Sequence, residues 1–493
     1  MRAITHRLLT IVLILLLVYT RFVNLGWGLP YPMHPDERNM ADAMMKLRCE
    51  DPSEFVQGLL TLAPRNVYTY LTSGEYALSN TKVECLNPHF FAYGQLSLYS
   101  ASMIAQLIHT LSQSVPQISM QKDFNFSEAV MGLRLLAAIA SCVTVFVLLK
   151  ILQLLNPRFS TPVWKYVALL FLIFSPILIQ FSHFGTTEAV LVLWFSLLTY
   201  VAIRATQRKK ILLRDIVFMS IVCGLAIATK VSSLLFLFIP WMVILTRATS
   251  RLVLNITNTI EKVEPDNKQP VIPDSIRDLV ISKIGLWLKF TITVGISILF
   301  ITFLAGLVSV IFSPHNVISL RELLGSMHYE SDVGLGRYIA FYTRQFLWEA
   351  PLLFQIQHIF PYAMGIASFV LCCIGFVFLP YKKSYNMLRF SAIIYAVLTM
   401  GWYAKWTRFL APTYPLLTIF AVCGLYLVMQ RVRKVYRSRR VTSLVGLTLV
   451  LAGILPGIAF ISVYASRDVR FTASEWIYKH IPPSHMYCLR QQM

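Results

Sequence analysis

Apolar residues in this chain are gathered into eleven long runs that are separated by short polar connectors. Each run approaches the roughly 20 apolar residues that a helix needs to cross a bilayer. The candidate spans cover residues 8–24, 130–155, 163–182, 187–203, 212–229, 231–246, 287–312, 359–380, 388–403, 409–430 and 441–464. The pattern therefore predicts an all-α polytopic membrane protein with about eleven transmembrane helices.

The overall composition agrees with a membrane protein. Of the 493 residues, 56% are hydrophobic and 14% are charged, whereas a soluble domain has roughly 25% charged residues. The formal net charge of +21 does not indicate a nucleic-acid partner, because the basic residues lie between apolar runs, as in the positive-inside pattern. The first run lacks a small-x-small cleavage site, which predicts an uncleaved span in a multi-pass plasma-membrane protein.

The basic connectors predict the topology. An N-terminus in the cytoplasm places all four of them on the cytoplasmic side: 204–210, 247–286, 381–383 and 431–440. The same map places four features outside: the first loop at 25–129, the corner at Glu188, the loop at 313–358 and the tail from 465. Residues 1–464 are expected to form one transmembrane domain, and residues 465–493 to begin an outer segment that is cut short.

One apolar stretch, residues 89–113, does not fit this map. As a twelfth span it would move every later basic loop to the outside. It contains Tyr93, Gln95 and Tyr99, which favours an interfacial or re-entrant helix, although a twelfth span stays open. Cys49 and Cys85 flank a polar part of the same loop and could pair if it is extracytoplasmic.

The sequence His34-Pro35-Asp36-Glu37 follows the first span and contains two adjacent acids. Proline at the first helical position and acids in the first turn are typical of a helix start, which is the structural interpretation. In the functional interpretation the two carboxylates point about 100° apart on the helix. One then faces a pocket as a general base or metal ligand, while the other pairs with a cation or orients its neighbour.

Three further charged residues lie at predicted outer ends of spans. Glu188 opens a span, where it has either a structural role at the helix start or a role in a functional site. The functional role is favoured by the free-energy cost of placing an acid at that depth of the membrane. Lys230 and Arg134 lie at span ends as well, where snorkelling explains them. Alternatively, Lys230 holds the phosphate of a lipid-linked substrate at headgroup depth.

Two outer loops offer candidate ligands for phosphate or sugar hydroxyls. The 313–358 loop contains Arg337, Arg344 and Gln345, although most of its polar residues are expected to be surface groups. Arg408 lies between close spans in an aromatic setting that also fits a membrane-interface belt; a phosphate contact is the alternative.

Seven short motifs, in order, resemble the GT-C superfamily of membrane glycosyltransferases. The nearest branch contains the dolichyl-phosphate-mannose protein mannosyltransferases and the bacterial aminoarabinose transferases, and the chain looks glycosyltransferase family 39-like. The motifs are Asp36-Glu37 in "HPDE", "NPHFFAYGQL" (87–96) with His89, "GLRLLAAIAS" (132–141) with Arg134, Glu188 where the family usually has aspartate, "GLAIATK" ending at Lys230, "RFLAPTYP" (408–415) with Arg408, and "ASEWIYKHIPP" (473–483).

The resemblance implies a GT-C fold of about eleven spans with interfacial helices in the first outer loop. It implies a polyprenyl-phosphate sugar donor and a protein, lipid or glycan acceptor on the extracytoplasmic face. Asp36, Glu37 and Glu188 would be catalytic, and Asp36 and Glu188 would hold a divalent cation, Mg or Mn, if one is used. The implied substrate-binding residues are His34, His89, Arg134, Lys230, Arg337, Arg344, Gln345 and Arg408.

Two other functions stay open on the sequence. A transporter or flippase of lipid-linked sugars would carry acids near the bilayer midplane on broken helices, whereas these acids lie at span ends. A polysaccharide polymerase or ligase would not require paired acids in the first outer loop.

Overall fold

The computed structural model describes residues 2–47, 49, 57, 82–112, 124–208, 210–261 and 273–481. Those residues form helices joined by turns, with no strand among them. The main helices are α1 (Arg2–Phe22), α2 (Pro35–Met45), α3 (Gln95–Ser112), α4 (Phe126–Leu155), α5 (Pro162–Ile173), α6 (Pro176–His183), α7 (Glu188–Gln207), α8 (Leu213–Thr229), α9 (Phe238–Glu261), α10 (Pro273–Phe312), α11 (Leu320–Leu335), α12 (Ile366–Phe378), α13 (Lys383–Met400), α14 (Tyr414–Tyr436), α15 (Arg439–Ala465) and α16 (Val469–His480).

Shorter helical segments connect these helices. They are Lys82–Leu86, Pro157–Ser160, Val231–Leu237, His315–Ile318, Phe341–Phe346, Gln355–Ile359, Phe360–Met364 and Thr407–Thr413. Two of them directly precede a long helix, so that Val231–Asn255 and Thr407–Tyr436 each run as one apolar segment.

The chain is a multi-pass membrane protein. Within the described residues, seven helical segments are long and apolar enough to cross a bilayer, or nine if each of two bent pairs forms one span. The two other predicted spans are also helices. One of them, α8, has only 17 residues, and the other, α13, carries Lys383 and Arg389 and is less apolar.

The predicted span at 163–182 is bent by 50° between α5 and α6. Pro176 opens α6 and has no N–H to give to the carbonyl of Leu172, four residues earlier. The fully buried guanidinium of Arg21 replaces that donor, with Nη2 3.1 Å from Leu172 O and Nη1 2.9 Å from Ile173 O. A buried arginine from α1 therefore satisfies the backbone at the bend.

The predicted span at 359–380 is not one straight helix. The chain turns by 109° at Gly365, between Gln355–Met364 and α12. Gly365 has φ +81°, a conformation that residues with a Cβ rarely adopt. Only residues 366–378 continue as the straight part of this predicted span.

Helix α3 lies across one end of the bundle. The N–H of its first residue, Gln95, donates to Ser313 Oγ at 3.0 Å, and Ser313 directly follows the end of α10. Near its last turn, His109 contacts Glu128 at the start of α4, at 3.0 Å. Both ends of α3 therefore meet span ends, as the interfacial interpretation of residues 89–113 expects. That interpretation stays a prediction.

The basic connectors collect at the opposite end of the bundle. Arg204 and Arg208 both pair with the buried carboxylate of Asp215, at 2.8 and 2.7 Å, and close the turn between α7 and α8. At the same end, Lys383 Nζ donates to Ser250 Oγ at 3.1 Å. The connectors thus share one side of the bundle, as the positive-inside pattern expects. In the first loop, Cys49 and Cys85 form a disulfide.

Helices α12 and α14 pack at backbone contact through two glycines. A Cβ on Gly424 would collide with the carbonyl oxygen of Leu371, and a Cβ on Gly375 would collide with that of Phe420. Small residues allow such close approach between membrane helices, where dispersion contacts replace the hydrophobic driving force.

We expect Gly424→Ala to destabilise the protein by roughly 1–3 kcal/mol, because the added methyl group forces α12 and α14 apart. The measurement is the apparent unfolding temperature of the purified protein in detergent. Gly295→Ala in α10 is the matched control, since nothing lies within 4 Å of its added Cβ. Equal unfolding temperatures for the two variants would contradict this account of the α12–α14 contact.

Candidate active site

Helix α2 positions the two adjacent acids at the end of the bundle that holds α3. Pro35 occupies its first turn together with Asp36 and Glu37. Met40 and Met44 are fully buried against α3 and α4 and fix the rotation of α2 about its axis. Because neighbouring helical positions differ by about 100°, the two carboxylates face different surroundings.

Glu37 is buried in an ion pair with Arg134 of α4. Arg134 Nε lies 2.7 Å from Glu37 Oε1, and Nη2 lies 2.7 Å from Oε2, the bidentate geometry of strong charge-assisted hydrogen bonds. Arg134 Nη1 also donates to the carbonyl oxygens of Leu25 and Trp27, at 2.6 and 2.7 Å. Neither side chain is more than 2% exposed, so the pair attaches α2 to the bundle.

Gly185, just before α7, completes the surroundings of Glu37. Its N–H donates to Glu37 Oε1 at 2.6 Å. A Cβ there would lie 3.0 Å from the same oxygen and would press on Leu133. The glycine therefore allows the backbone to reach the carboxylate.

Asp36 faces a cavity of about 810 Å³. One wall comes from the start of α2, including His34 and Asp36, and a second from the ends of α6 and α7, including Glu188. The other walls come from α11, the Phe341–Phe346 segment and residues 406–409. This volume falls within the range of about 300–1,000 Å³ that is typical of small-molecule sites.

Arg408 forms an ion pair with Asp36 across this cavity. His34 lies beside the pair, with Nδ1 3.9 Å from Asp36 Oδ2 and its ring against Phe184. Burial lowers the pKa of His34 below its ordinary value, despite the nearby carboxylates of Glu188 and Glu37. His34 is therefore a neutral hydrogen-bonding group at neutral pH.

A second ion pair, between Lys230 and Glu188, lies near that of Asp36 and Arg408. Lys230 Nζ is 3.5 Å from Glu188 Oε1 and 4.9 Å from the centre of the Tyr93 ring. Glu330 of α11 lines the cavity and interacts electrostatically with Lys230. Partial desolvation raises the pKa of Glu330, and the positive charge of Lys230 opposes that shift.

Sequence reasoning missed several residues of the cavity. Glu330, Tyr329 and Tyr342 line it, and the two tyrosine hydroxyls lie 3.5 Å apart. Tyr329, Glu330 and Val333 share one face of α11 at helical spacing, which is the signal that would have identified this wall. Gln180 of α6 lines the cavity as well.

Arg134, which pairs with Glu37, and Lys230, which pairs with Glu188, are not among the residues that line this cavity. Four further predicted ligands do not line it either. His89 contacts Glu322 at 3.2 Å, Arg337 lies 3.7 Å from Asp332, and Gln345 donates to the carbonyl of Tyr342 at 3.1 Å. Arg344 is exposed on the Phe341–Phe346 segment. Substrate contacts by these four side chains stay predictions, and the structure groups His34, Asp36, Glu188, Lys230 and Arg408 without them.

The residues present do not make a metal site in this structure. Among the described residues, no group of three histidine, cysteine, aspartate or glutamate side chains gathers to hold an ion. Asp36 is paired with Arg408, and Glu188 with Lys230. A divalent cation prefers several oxygen ligands, and each of these carboxylates already faces a positive charge.

Comparisons with known proteins agree on the fold. Residues 124–259 match the family model described as dolichyl-phosphate-mannose-protein mannosyltransferase. The oligosaccharyltransferase AglB from Archaeoglobus fulgidus, solved with an inhibitory peptide and a dolichol-phosphate, aligns with a TM-score of 0.52 and 14% identity. The alignment covers 99% of this chain and 59% of that one, so the chain spans about three fifths of the archaeal protein.

Two further structures align less well. The same archaeal enzyme in complex with Zn and sulfate has a TM-score of 0.48 at 12% identity, covering 98% of this chain and 56% of that one. ArnT from Cupriavidus metallidurans bound to undecaprenyl phosphate has a TM-score of 0.44 at 14% identity, covering 93% and 74%. No curated protein sequence matches the chain.

The architecture is therefore the GT-C fold of membrane glycosyltransferases, the class that the sequence motifs resemble.

We expect Glu37→Gln to lower stability by roughly 3–5 kcal/mol, because it leaves the Arg134 guanidinium buried without a counter-charge. Apparent unfolding temperature in detergent is the readout. Glu475→Gln is the matched control: Glu475 also pairs with an arginine, Arg467, but both side chains are more than half exposed, and exposed ion pairs contribute little. A loss as small as that of the control would show that the pair does not attach α2.

Proposed function

We propose that this protein is a membrane glycosyltransferase that moves a sugar from a polyprenyl-phosphate donor to an acceptor on the extracytoplasmic face. The observation that carries the proposal is the joint placement of Asp36, Arg408 and Glu188 on one cavity, with Lys230 paired to Glu188. The cavity thus combines carboxylates that can accept a proton with cations that can hold a phosphate. The sugar is left open, and so is the choice among protein, lipid and glycan acceptors.

In the proposed reaction the acceptor hydroxyl attacks the anomeric carbon of the donor sugar, and Asp36 takes the hydroxyl proton. The bond between the anomeric carbon and the phosphate oxygen breaks, and polyprenyl phosphate leaves with the bonding electrons. Attack opposite the leaving group gives inversion at the anomeric carbon. General-base assistance of this kind contributes roughly 10²–10⁴-fold in rate.

Arg408 and Lys230 are the proposed phosphate ligands. Negative charge grows on the phosphate as the glycosidic bond breaks, and fixed cations in a water-poor site stabilise it. Arg408 is paired with Asp36 in the present structure. A donor phosphate on Arg408 would take over part of that interaction and free the Asp36 carboxylate for the acceptor proton.

Glu37 and Arg134 have a positioning role in this proposal. Both are buried and bonded to each other, so neither is available to a substrate without breaking the pair. They hold α2 at the angle that directs Asp36 into the cavity. Glu188 in turn orients Lys230.

We propose that the polyprenyl chain lies beside the cavity, against exposed apolar side chains of the 313–358 loop. Phe341 and Tyr342 line the cavity and are exposed. Tyr338, Trp348, Leu352 and Leu353 of the same loop are exposed as well. Exposed apolar side chains that group together mark a membrane or ligand contact, and a lipid leaving group held there never has to enter water.

We propose that the N-terminus is cytoplasmic and that the cavity opens on the extracytoplasmic side. This orientation follows from the basic connectors, which gather at the end of the bundle opposite the cavity. A requirement for Mg or Mn stays a prediction from the family resemblance. No step here is routed through a metal, because the two carboxylates are already paired with Arg408 and Lys230.

A transporter or flippase fits the geometry less well, because its acids are expected near the bilayer midplane. Asp36 and Glu188 instead begin helices at one end of the bundle. A polymerase or ligase of glycans also forms a glycosidic bond, so product analysis separates it from the proposed transferase.

Asp36→Asn is expected to reduce sugar transfer by roughly 10²–10⁴-fold, because an amide cannot accept the hydroxyl proton. The assay follows a labelled sugar from its polyprenyl-phosphate donor in membranes that contain matched amounts of each variant. Asp42→Asn is the control, since Asp42 is an exposed aspartate on the same helix. Turnover near that of the control would remove Asp36 from the mechanism.

The raised pKa of Glu330 gives a prediction about pH. The ionised carboxylate is proposed to accept hydroxyl hydrogen bonds from the sugar beside Lys230 and Tyr342. A raised pKa means that Glu330 takes up a proton at a higher pH than an ordinary glutamate as the pH falls. The KM for the donor should therefore rise on the acid side, while kcat changes less.

Glu330→Gln should abolish that acid-side change in KM, because glutamine does not titrate. Glu322→Gln is the control on the same helix, since Glu322 pairs with His89 outside the cavity. An identical KM profile in wild type and in Glu330→Gln would exclude this role for Glu330.

A further inference from the structure

A second cavity lies between α1, α4 and α5, away from the proposed active site. Its volume is about 230 Å³, below the roughly 300 Å³ at which drug-sized pockets begin. The floor is apolar and buried, formed by Leu13, Leu17, Leu149, Leu169 and Ile173. These dimensions and this lining suit a single hydrocarbon chain.

Polar side chains are confined to one end of this groove. Lys150 and Gln153 lie in the last turns of α4, and Lys165 lies in the first turn of α5. These residues flank the α4–α5 connector, at the opposite end of the bundle from Asp36. Trp164 and Tyr166 lie at the same level, and such aromatic residues are typical of the membrane–water interface.

The two lysines have no acidic partner in the part of the chain that the structure describes. Neither Lys150 nor Lys165 lies within 4.0 Å of a carboxylate there. Lys230 at the other end differs, since it pairs with Glu188. The groove thus combines an apolar floor with two positive charges at headgroup level.

We propose that this groove binds an anionic phospholipid of the surrounding leaflet. One acyl chain lies on the apolar floor, and the headgroup phosphate lies between Lys150 and Lys165. Basic pockets between transmembrane helices recognise anionic headgroups by the same electrostatics. The bound lipid would join α1, most of whose side chains are exposed, to α4 and α5.

The occupant is a membrane phospholipid and not the polyprenyl-phosphate donor. The donor's phosphate is required at the other end of the bundle, beside Arg408 and Lys230. Exclusion of the donor as the occupant rests on the proposed function, whereas the test of the groove uses binding and stability without any activity assay.

The test compares phosphatidylglycerol with phosphatidylcholine of the same acyl chains, added to the full-length protein in detergent. Native mass spectrometry counts retained lipids, and thermal unfolding reports stabilisation. Phosphatidylglycerol should bind more tightly and raise the unfolding temperature more. Loss of one lysine charge near a membrane surface weakens such binding about fivefold, so Lys150→Gln/Lys165→Gln should weaken it about 25-fold.

A double variant on α10, Lys283→Gln/Lys289→Gln, removes the same charge outside the groove and should keep the preference. Ile14→Trp fills the groove from its partly exposed wall, so it should reduce retained phosphatidylglycerol with both lysines intact. Equal binding of the two lipids to the wild type would overturn the proposal. So would an equal loss in both double variants, or unchanged retention in Ile14→Trp.

Discussion

The buried ion pair between Glu37 and Arg134 determines where the chemistry of this protein is placed. Both bidentate hydrogen bonds are 2.7 Å long, and the pair is almost completely shielded from solvent. Removing two charges from water is costly, so a buried pair adds little net stability compared with well-packed apolar residues. Its main effect is geometric, because breaking it would leave a buried charge. Rotation of α2 is thereby restricted, and Asp36, one residue earlier, faces the cavity.

The charged residues that line the cavity differ from this buried pair. Asp36 and Arg408 line the cavity and are partly exposed, so a substrate can reach this pair. Glu188 also lines the cavity, as a buried side chain that is paired with Lys230. Each carboxylate has a cation beside it, which is compatible with an anionic ligand that exchanges partners within the site. In the proposed reaction, charge moves onto a phosphate at this end of the bundle, where lipid and water meet. The lipid-linked donor can then stay in the bilayer throughout.

Arginines in this chain show how burial separates structural from functional roles. Arg21 and Arg134 are both almost fully buried, and each bonds to buried polar groups of other elements. Arg21 bonds carbonyl oxygens at the α5–α6 bend, and Arg134 bonds the carboxylate of Glu37. Arg408 keeps nearly a third of its side chain exposed and lines a cavity. A basic residue near a span end is therefore ambiguous until its surroundings are known.

Much of the fold was predictable from the sequence, because every predicted span is helical in the structure, although two of them are bent pairs of helices. Apolar runs of membrane length require helices, since no water is present to satisfy an open backbone. The bends were not predicted. Pro176 marks one of them. The bend is tolerated there because Arg21, more than 150 residues earlier in the chain, donates to the carbonyl that the proline leaves without a donor. The bend at Gly365 depends on a backbone conformation that composition does not reveal.

The candidate site was partly predictable for a related reason. Asp36, Glu188, Lys230 and Arg408 lie at span ends, and a consistent topology places all of them at one end of the bundle. Which of two adjacent carboxylates enters the cavity depends on the rotation of α2, and that is set by Arg134, 97 residues away. Glu330 joins the site only because α11 packs over the cavity. The sequence by itself determined the helices, their order and the end at which the charges gather, because burial of apolar runs in lipid is a local property. Only the tertiary structure decided which charges pair with each other, because pairing depends on distances between residues far apart in the chain.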